Sequence, residues 1–259
     1  MGLIYQIKQK LIEKREEYFL WRKYIKKPRF TQYKVRFKNK TFVIPDAQSF
    51  AAQVWEIFAD DIYRFECNTD TPLIYDIGAN IGMSVFYFKR LFKNAKIKAY
   101  EADKDIFAIL QQNTADLTDI ELHNNAVWIN DDELSFFSQG ADGGSLITTT
   151  EATQKVQAVR LKTLLDNEAH IDFLKMDIEG AETEVILDCK DALHNIDKLF
   201  IEYHSFKGQK QTLPQILNCL TNAGFRYYMQ TVCGHTSPFC YNNPSEQMDL
   251  QINIYGYRR

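Results

Sequence analysis

Apolar positions recur at spacings of three, four and seven along residues 3–26, at Ile4, Ile7, Leu11, Tyr18, Trp21 and Ile25, with Lys14 interrupting the seam. That spacing predicts one amphipathic helix, ended by Pro28. Two short runs, Tyr33–Phe37 and Thr41–Ile44, flank Lys38-Asn39-Lys40 and read as a hairpin. Residues 49–65 carry Phe50, Val54, Trp55, Ile57, Phe58, Ile62 and Phe65 at helical spacing. Asn68-Thr69-Asp70-Thr71-Pro72 then breaks the pattern.

From residue 73 the period alternates. Strands are expected at 73–77, 96–100, 120–127, 133–138, 155–160, 172–176, 198–203, 225–231 and 250–257. Helices are expected at 83–92, 104–114, 161–165, 182–187 and 214–223. Repeated β-α-β order predicts a doubly wound, Rossmann-like α/β fold with helices on both faces of a mainly parallel sheet. Two segments are expected: residues 1–72, with the N-terminal helix, hairpin and helical stretch, and a main domain at 73–259.

Charge sharpens that division. The 259 residues carry 31 Lys/Arg and 34 Asp/Glu, a near balance. Residues 1–40, however, hold 13 basic and 3 acidic residues, a net charge of +10, which leaves the remainder at −13. At 45% apolar and 25% charged residues the composition is that of a globular protein. No apolar run is long enough to span a membrane, and no apolar leader opens the chain. Five cysteines with no C-x-x-C pair read as reduced thiols, so a cytoplasmic chain is expected. Cys233, His235 and Cys240 lie close together but lack a fourth metal ligand. No metal site is expected there.

In a doubly wound sheet, ligands bind beyond the carboxyl ends of the strands. After the first expected strand comes Asp76-Ile77-Gly78-Ala79-Asn80-Ile81-Gly82, a tight turn opening a helix. Asn80 stands where a dinucleotide fingerprint needs its middle glycine, and Asp76 would repel a pyrophosphate. A cationic, amino-acid-bearing ligand such as S-adenosylmethionine suits this loop better. Glu101 ends the next strand, 19 residues after Gly82, where an acidic side chain holds ribose hydroxyls.

Two further strand ends carry chemistry. Lys175-Met-Asp177-Ile-Glu179-Gly-Ala-Glu182 gathers three carboxylates and a lysine, with Lys175 and Asp177 on one side of the strand. Ile201-Glu-Tyr-His204 puts a histidine at the next tip, where a base is needed. Asp177, Glu179 and His204 are also the residue types that hold a divalent cation. The glycine-rich loop Gln139–Ser145 is read either as a cover for the site or as a plain hairpin connection.

These four runs resemble the FkbM-type family of S-adenosylmethionine-dependent methyltransferases, over about residues 73–257. Lys-x-Asp-x-Glu-Gly-x-Glu is the most specific part. The resemblance implies a seven-stranded sheet with a reversed last strand, and Asn222-Ala-Gly-Phe225 fits that pattern. It implies O-methylation of a sugar, glycan precursor or other small molecule, as in polysaccharide or natural-product biosynthesis. Carried over by position, Asp76, Gly78, Ala79, Asn80 and Gly82 line the methionine end, Glu101 and Ala102 the ribose, and Asn125 and Ala126 the adenine. Asp177 and Glu179 face the methyl group. His204 or Asp177 is expected to remove the acceptor's proton, with Lys175 orienting the carboxylate or the developing oxyanion.

Competing readings are a nucleic-acid methyltransferase, suggested by the basic head, and a non-catalytic nucleoside-binding protein. The first lacks an Asn/Asp-Pro-Pro-aromatic run, and the acidic body repels phosphates. The intact Lys175–Glu182 cluster argues against the second. A nicotinamide oxidoreductase is disfavoured by Asn80. The expected partners are therefore a small-molecule or glycan acceptor, with no nucleic acid. Through residues 3–26, a second copy of the chain or an anionic membrane surface at the inner face is expected.

Overall fold

The computed structural model describes residues 14–136, 154–232, 239–240 and 248–258. The loop Gln139–Ser145, residues 3–13 of the expected first helix, and Cys233 and His235 lie outside the described residues.

Residues 14–24 are helical (α1). Trp21 and Ile25 pack on the core, and Tyr24 is buried within it. Glu17 is buried on the same side and paired with Lys38 at 2.7 Å. The hairpin forms as expected from β1 (Tyr33–Phe37) and β2 (Lys40–Ile44). Asn113 clamps it by accepting from the Val43 amide and donating to the Val43 carbonyl.

The next helix differs from the periodicity at both ends. Asp46 caps it by accepting from Gln48 and Ser49 N–H groups, so α2 (Ala47–Gln53) begins early. It passes into a π-helical segment, Val54–Ala59, and stops before residue 65. Asp61 takes a left-handed conformation there, with φ of 61°, and accepts the Tyr87 hydroxyl. Residues 62–65 instead feed Tyr63 and Phe65 into an aromatic cluster, where they lie 4.8 Å from Phe200 and 4.5 Å from Phe173. One hydrophobic core therefore joins α1, the hairpin and residues 47–65 to the sheet.

The main sheet has seven strands among the described residues, ordered β11-β12-β10-β9-β3-β4-β5. These are β3 (Leu73–Ile77), β4 (Lys96–Tyr100), β5 (Ile120–His123), β9 (Ile171–Met176), β10 (Ile196–Phe206), β11 (Arg226–Thr231) and β12 (Met248–Tyr257). β12 runs antiparallel to both neighbours, the reversed strand that was expected. Helices α3 (Met83–Leu91), α4 (Lys104–Thr114), α5 (Leu161–Asp166), α6 (Glu182–Asp188) and α7 (Leu213–Asn222) connect them. A small second sheet, β6-β8-β7, is formed by Ala126–Trp128, Gln154–Arg160 and Glu133–Phe136. The single strand expected at 120–127 splits at Asn124, whose side-chain amide donates to the Glu101 and Ala102 carbonyls and turns the chain.

β9 is buried along its whole length, as a central parallel strand should be. The chain runs outward from β3 through β4 to β5, then returns to lay β9 on the other side of β3. That reversal opens a crevice beyond the ends of β3 and β9.

Candidate active site

A cavity of about 480 Å³ occupies this crevice, within the roughly 300–1,000 Å³ usual for small-molecule sites. Gly78, Ala79, Asn80, Glu101, Ala102, Asn125, Ala126, Lys175, Asp177, Glu179 and His204 all line it. Eleven of the thirteen residues expected from sequence thus converge. The other two, Asp76 and Gly82, stand behind the wall.

Asp76 is fully buried and does not line the cavity. It accepts from Ser84 Oγ at 2.5 Å and lies 3.5 Å from Lys175 Nζ. Burial raises its pKa, and Lys175 and Ser84 pull it back down. Lys175, itself buried, donates to the Gly78 carbonyl at 2.5 Å and lies 3.6 Å from Asp177. Burial disfavours its charge, but Asp177 and Asp76 outweigh this and raise its pKa. Lys175 is therefore a fixed cation tying the glycine loop to the tip of β9. Gly82 serves packing, since a Cβ there would come within 2.8 Å of Leu110 on α4.

At one end of the cavity, Glu101 accepts from the Asn80 N–H at 2.9 Å and the Asp103 N–H at 2.8 Å. Asn80 adopts φ of 48° to present that amide. Burial pushes Glu101 up to about 7, against the two amides that favour its charge. Each oxygen keeps a lone pair for a further donor such as a ribose hydroxyl.

At the other end lie the carboxylates and His204. His204 Nδ1 is 3.1 Å from Glu182 Oε1, and its Nε2 is 3.6 Å from Glu179 Oε2. Glu182 also accepts from the Ile178 and Gly180 amides, shaping the turn after β9. Burial works against a charged ring, yet Glu182 and Glu179 outweigh it, and the His204 pKa rises well above the ordinary value. These neighbours favour the protonated ring, which works against His204 as the acceptor's base. Glu179 adopts φ of 55°, in the left-handed region, within the turn after β9. Burial raises its pKa well above the carboxylate range despite His204.

Sequence reasoning passed over Glu202. It lies on β10 two residues before His204, lines the cavity, and accepts from Gln251 of β12. Burial, followed by the field of Asp177, pushes it up to about 8. The period of two along β10 puts Glu202 and His204 on one face, a signal present in the sequence. Gln251 and the wall from residues 29–63 carry no such signal. Asp177, Glu179 and His204 bring one ligand atom each within 4.8 Å of the others, a spacing compatible with a cation.

Comparison with known proteins agrees with this geometry. The model of the methyltransferase FkbM domain matches residues 76–227, more than half of the chain. "Methyltransferase 1" of Beauveria bassiana is 26% identical over 190 residues, 62% of this chain and 76% of that protein. The 2-O-methyltransferase NoeI of Sinorhizobium fredii is 25% identical over 164 residues, 55% of this chain and 68% of that one. Among solved structures, the FkbM methyltransferase of Methylobacillus flagellatus superposes with a TM-score of 0.50 at 17% identity, over 82% of this chain. That match spans 54% of the larger protein, about half its length, and at this identity it speaks to the fold. The chain belongs to the FkbM methyltransferase family.

Proposed function

We propose that the protein transfers a methyl group from S-adenosylmethionine to a hydroxyl of a sugar, glycan precursor or other small molecule. The observation that carries this reading is the division of one cavity into two chemically different ends. Glu101, Ala102, Asn125 and Ala126 line an end suited to a nucleoside, and Asp177, Glu179, Glu202 and His204 line an acidic end. Gly78 and Asn80 join the two. The relative NoeI, named a 2-O-methyltransferase, supports oxygen as the acceptor atom.

The residues present fit this cofactor, because the cavity offers acidic and backbone groups where a cation with ribose hydroxyls would lie. Bound there, S-adenosylmethionine supplies an electrophilic methyl on a good leaving group. The chain's own task is to place the acceptor oxygen in line with that methyl and to take its proton. Asp177, at the tip of β9 and 3.6 Å from Lys175, is the base in this reading. Lys175 fixes Asp177 against the glycine loop. His204, favoured in its protonated form, positions Glu179 and supplies positive charge among the carboxylates.

Calorimetry with S-adenosylmethionine and S-adenosylhomocysteine, followed by methyl-transfer assays on a panel of sugars and glycolipids, tests the reading. Full turnover in Asp177→Asn with intact cofactor binding would overturn the assignment of the base.

We also infer a docking role for the N-terminal segment. One side of α1 packs on the body, while Tyr18 and Phe19 remain exposed beside Arg15 and Arg22. A second copy or an anionic membrane surface suits that combination. Sedimentation and vesicle flotation of a Tyr18→Ser, Phe19→Ser variant separate the two. No helix among the described residues is long and apolar enough to cross a membrane.

A further inference from the structure

The family match begins at residue 76 and ends at 227, but that stretch does not close the cavity. Part of the wall comes from before it, through Gln53, Glu56, Ile57 and Tyr63, and part from after it, through Met248 and Gln251. The earlier part is built on an irregularity. α2 ends at Gln53, and the chain continues as the π-helical segment Val54–Ala59. A π-turn adds a residue to the helical repeat and rotates the side chains that follow, an arrangement frequent at functional sites. Here it brings Glu56 to the cavity alongside Gln53.

One observation locates this wall at the acidic end, and a second shows what it lacks. The field of Glu56 acts on Glu202 and on Tyr63, and Tyr63 in turn feels Asp177 and Glu202. Gln53 Oε1 is buried and finds no donor among the described residues. A buried amide oxygen of this kind carries a desolvation cost that a donor from within the cavity would remove. Hydroxyl groups are such donors, and a carboxylate beside an amide accepts from two adjacent hydroxyls at once. Glu56 places a carboxylate in this part of the wall itself, next to Gln53, and that local charge disfavours an anionic ring there.

We propose that Gln53 and Glu56 form an acceptor subsite that grips a pair of adjacent hydroxyls on an uncharged sugar ring. This rests on the reading of the protein as an O-methyltransferase and names the substrate class of the same site. The family-matched core supplies the cofactor end and the base, and the flanking segments choose the acceptor.

The test compares wild type, Gln53→Leu and Glu56→Gln, each loaded with S-adenosylhomocysteine. Binding of neutral methyl glycosides and of a methyl glucuronide is measured by saturation-transfer NMR and calorimetry, with turnover where it occurs. Wild type is expected to bind a neutral glycoside at least tenfold tighter than the glucuronide. Each variant is expected to weaken glycoside binding, and raise its KM, by tenfold or more. The turnover number should stay within threefold and S-adenosylhomocysteine affinity within twofold, which also reports that the variants fold. Unchanged glycoside affinity in both variants, or tighter binding of the glucuronide, overturns the proposal. Cofactor-product binding without any neutral glycoside binding in wild type overturns it alone, whereas absence of both also removes the O-methyltransferase reading.

Discussion

A Cβ atom on Gly78 would stand 1.9 Å from the carbonyl oxygen of Asp177. The glycine loop after β3 and the acidic turn after β9 are therefore in backbone contact, and Gly78 is needed for that contact. Its φ of 80° adds a second constraint. Gly78→Ala is expected to lower stability by roughly 2–4 kcal/mol, from backbone strain and overpacking. It should also weaken S-adenosylhomocysteine binding more than tenfold. Urea denaturation and calorimetry measure the two effects.

Glu182 joins the turn to His204 and is fully buried. Glu182→Ala leaves a buried imidazolium without its partner and is expected to cost roughly 3–5 kcal/mol. Glu182→Gln keeps the side-chain volume and isolates the charge. A raised histidine pKa contributes stability that is fully present below the ordinary value of 6.5 and fades as pH climbs through the folded-state value. In the Gln variant the folded-state value falls, so the fade should be smaller and complete at lower pH. NMR titration of the His204 ring reads this directly, and an unmoved titration would refute the pairing.

Glu101 has linkage of the same sign, carried by a neutral acid instead of a cation. Its pKa rises from 4.5 to about 7, so the folded chain holds its proton longer than the unfolded chain. Stability is therefore lost as pH rises through this window, by up to about 3 kcal/mol. A ribose diol donates to the ionised form, so S-adenosylhomocysteine affinity should increase from pH 6 to pH 8. Glu101→Gln is expected to flatten that rise and lower affinity about tenfold, the loss of a charge-assisted contact. Isothermal titration across the pH range decides it.

A protonated His204 competes with any cation for the Asp177–Glu179–His204 cluster, because a metal-bound imidazole must first give up its proton. Exhaustive treatment with chelator is therefore expected to change turnover less than twofold. A loss restored by magnesium or manganese would reassign the cluster as a metal centre.

Much of this architecture is legible in the one-dimensional pattern. Strand and helix periods delimit the sheet because β3, β4 and β9 are short, mainly apolar segments, each carrying only one or two charged residues. The site residues follow because most of them sit in the last residues of a strand or just past its end. The missed features depend on distance across the fold. The early stop near Asp61 arises from a left-handed turn locked by Tyr87, which lies on another helix. Asp76 reads as a ligand-facing carboxylate until Lys175 is seen to cover it. His204 reads as a base until Glu182 and Glu179 are placed on either side of it. Charge state is a property of neighbours, and these neighbours are 22 and 25 residues away in sequence.

β12 comes late in the sequence yet lies inside the sheet, between β10 and β11. A chain interrupted after Thr231 would contain the whole family-matched stretch, but β10 would expose an unpaired edge and Glu202 would lack Gln251. The wall opposite the cofactor end closes only when the final strand threads between two that precede it. Until that strand is in place, the open edge of β10 is a template for aggregation.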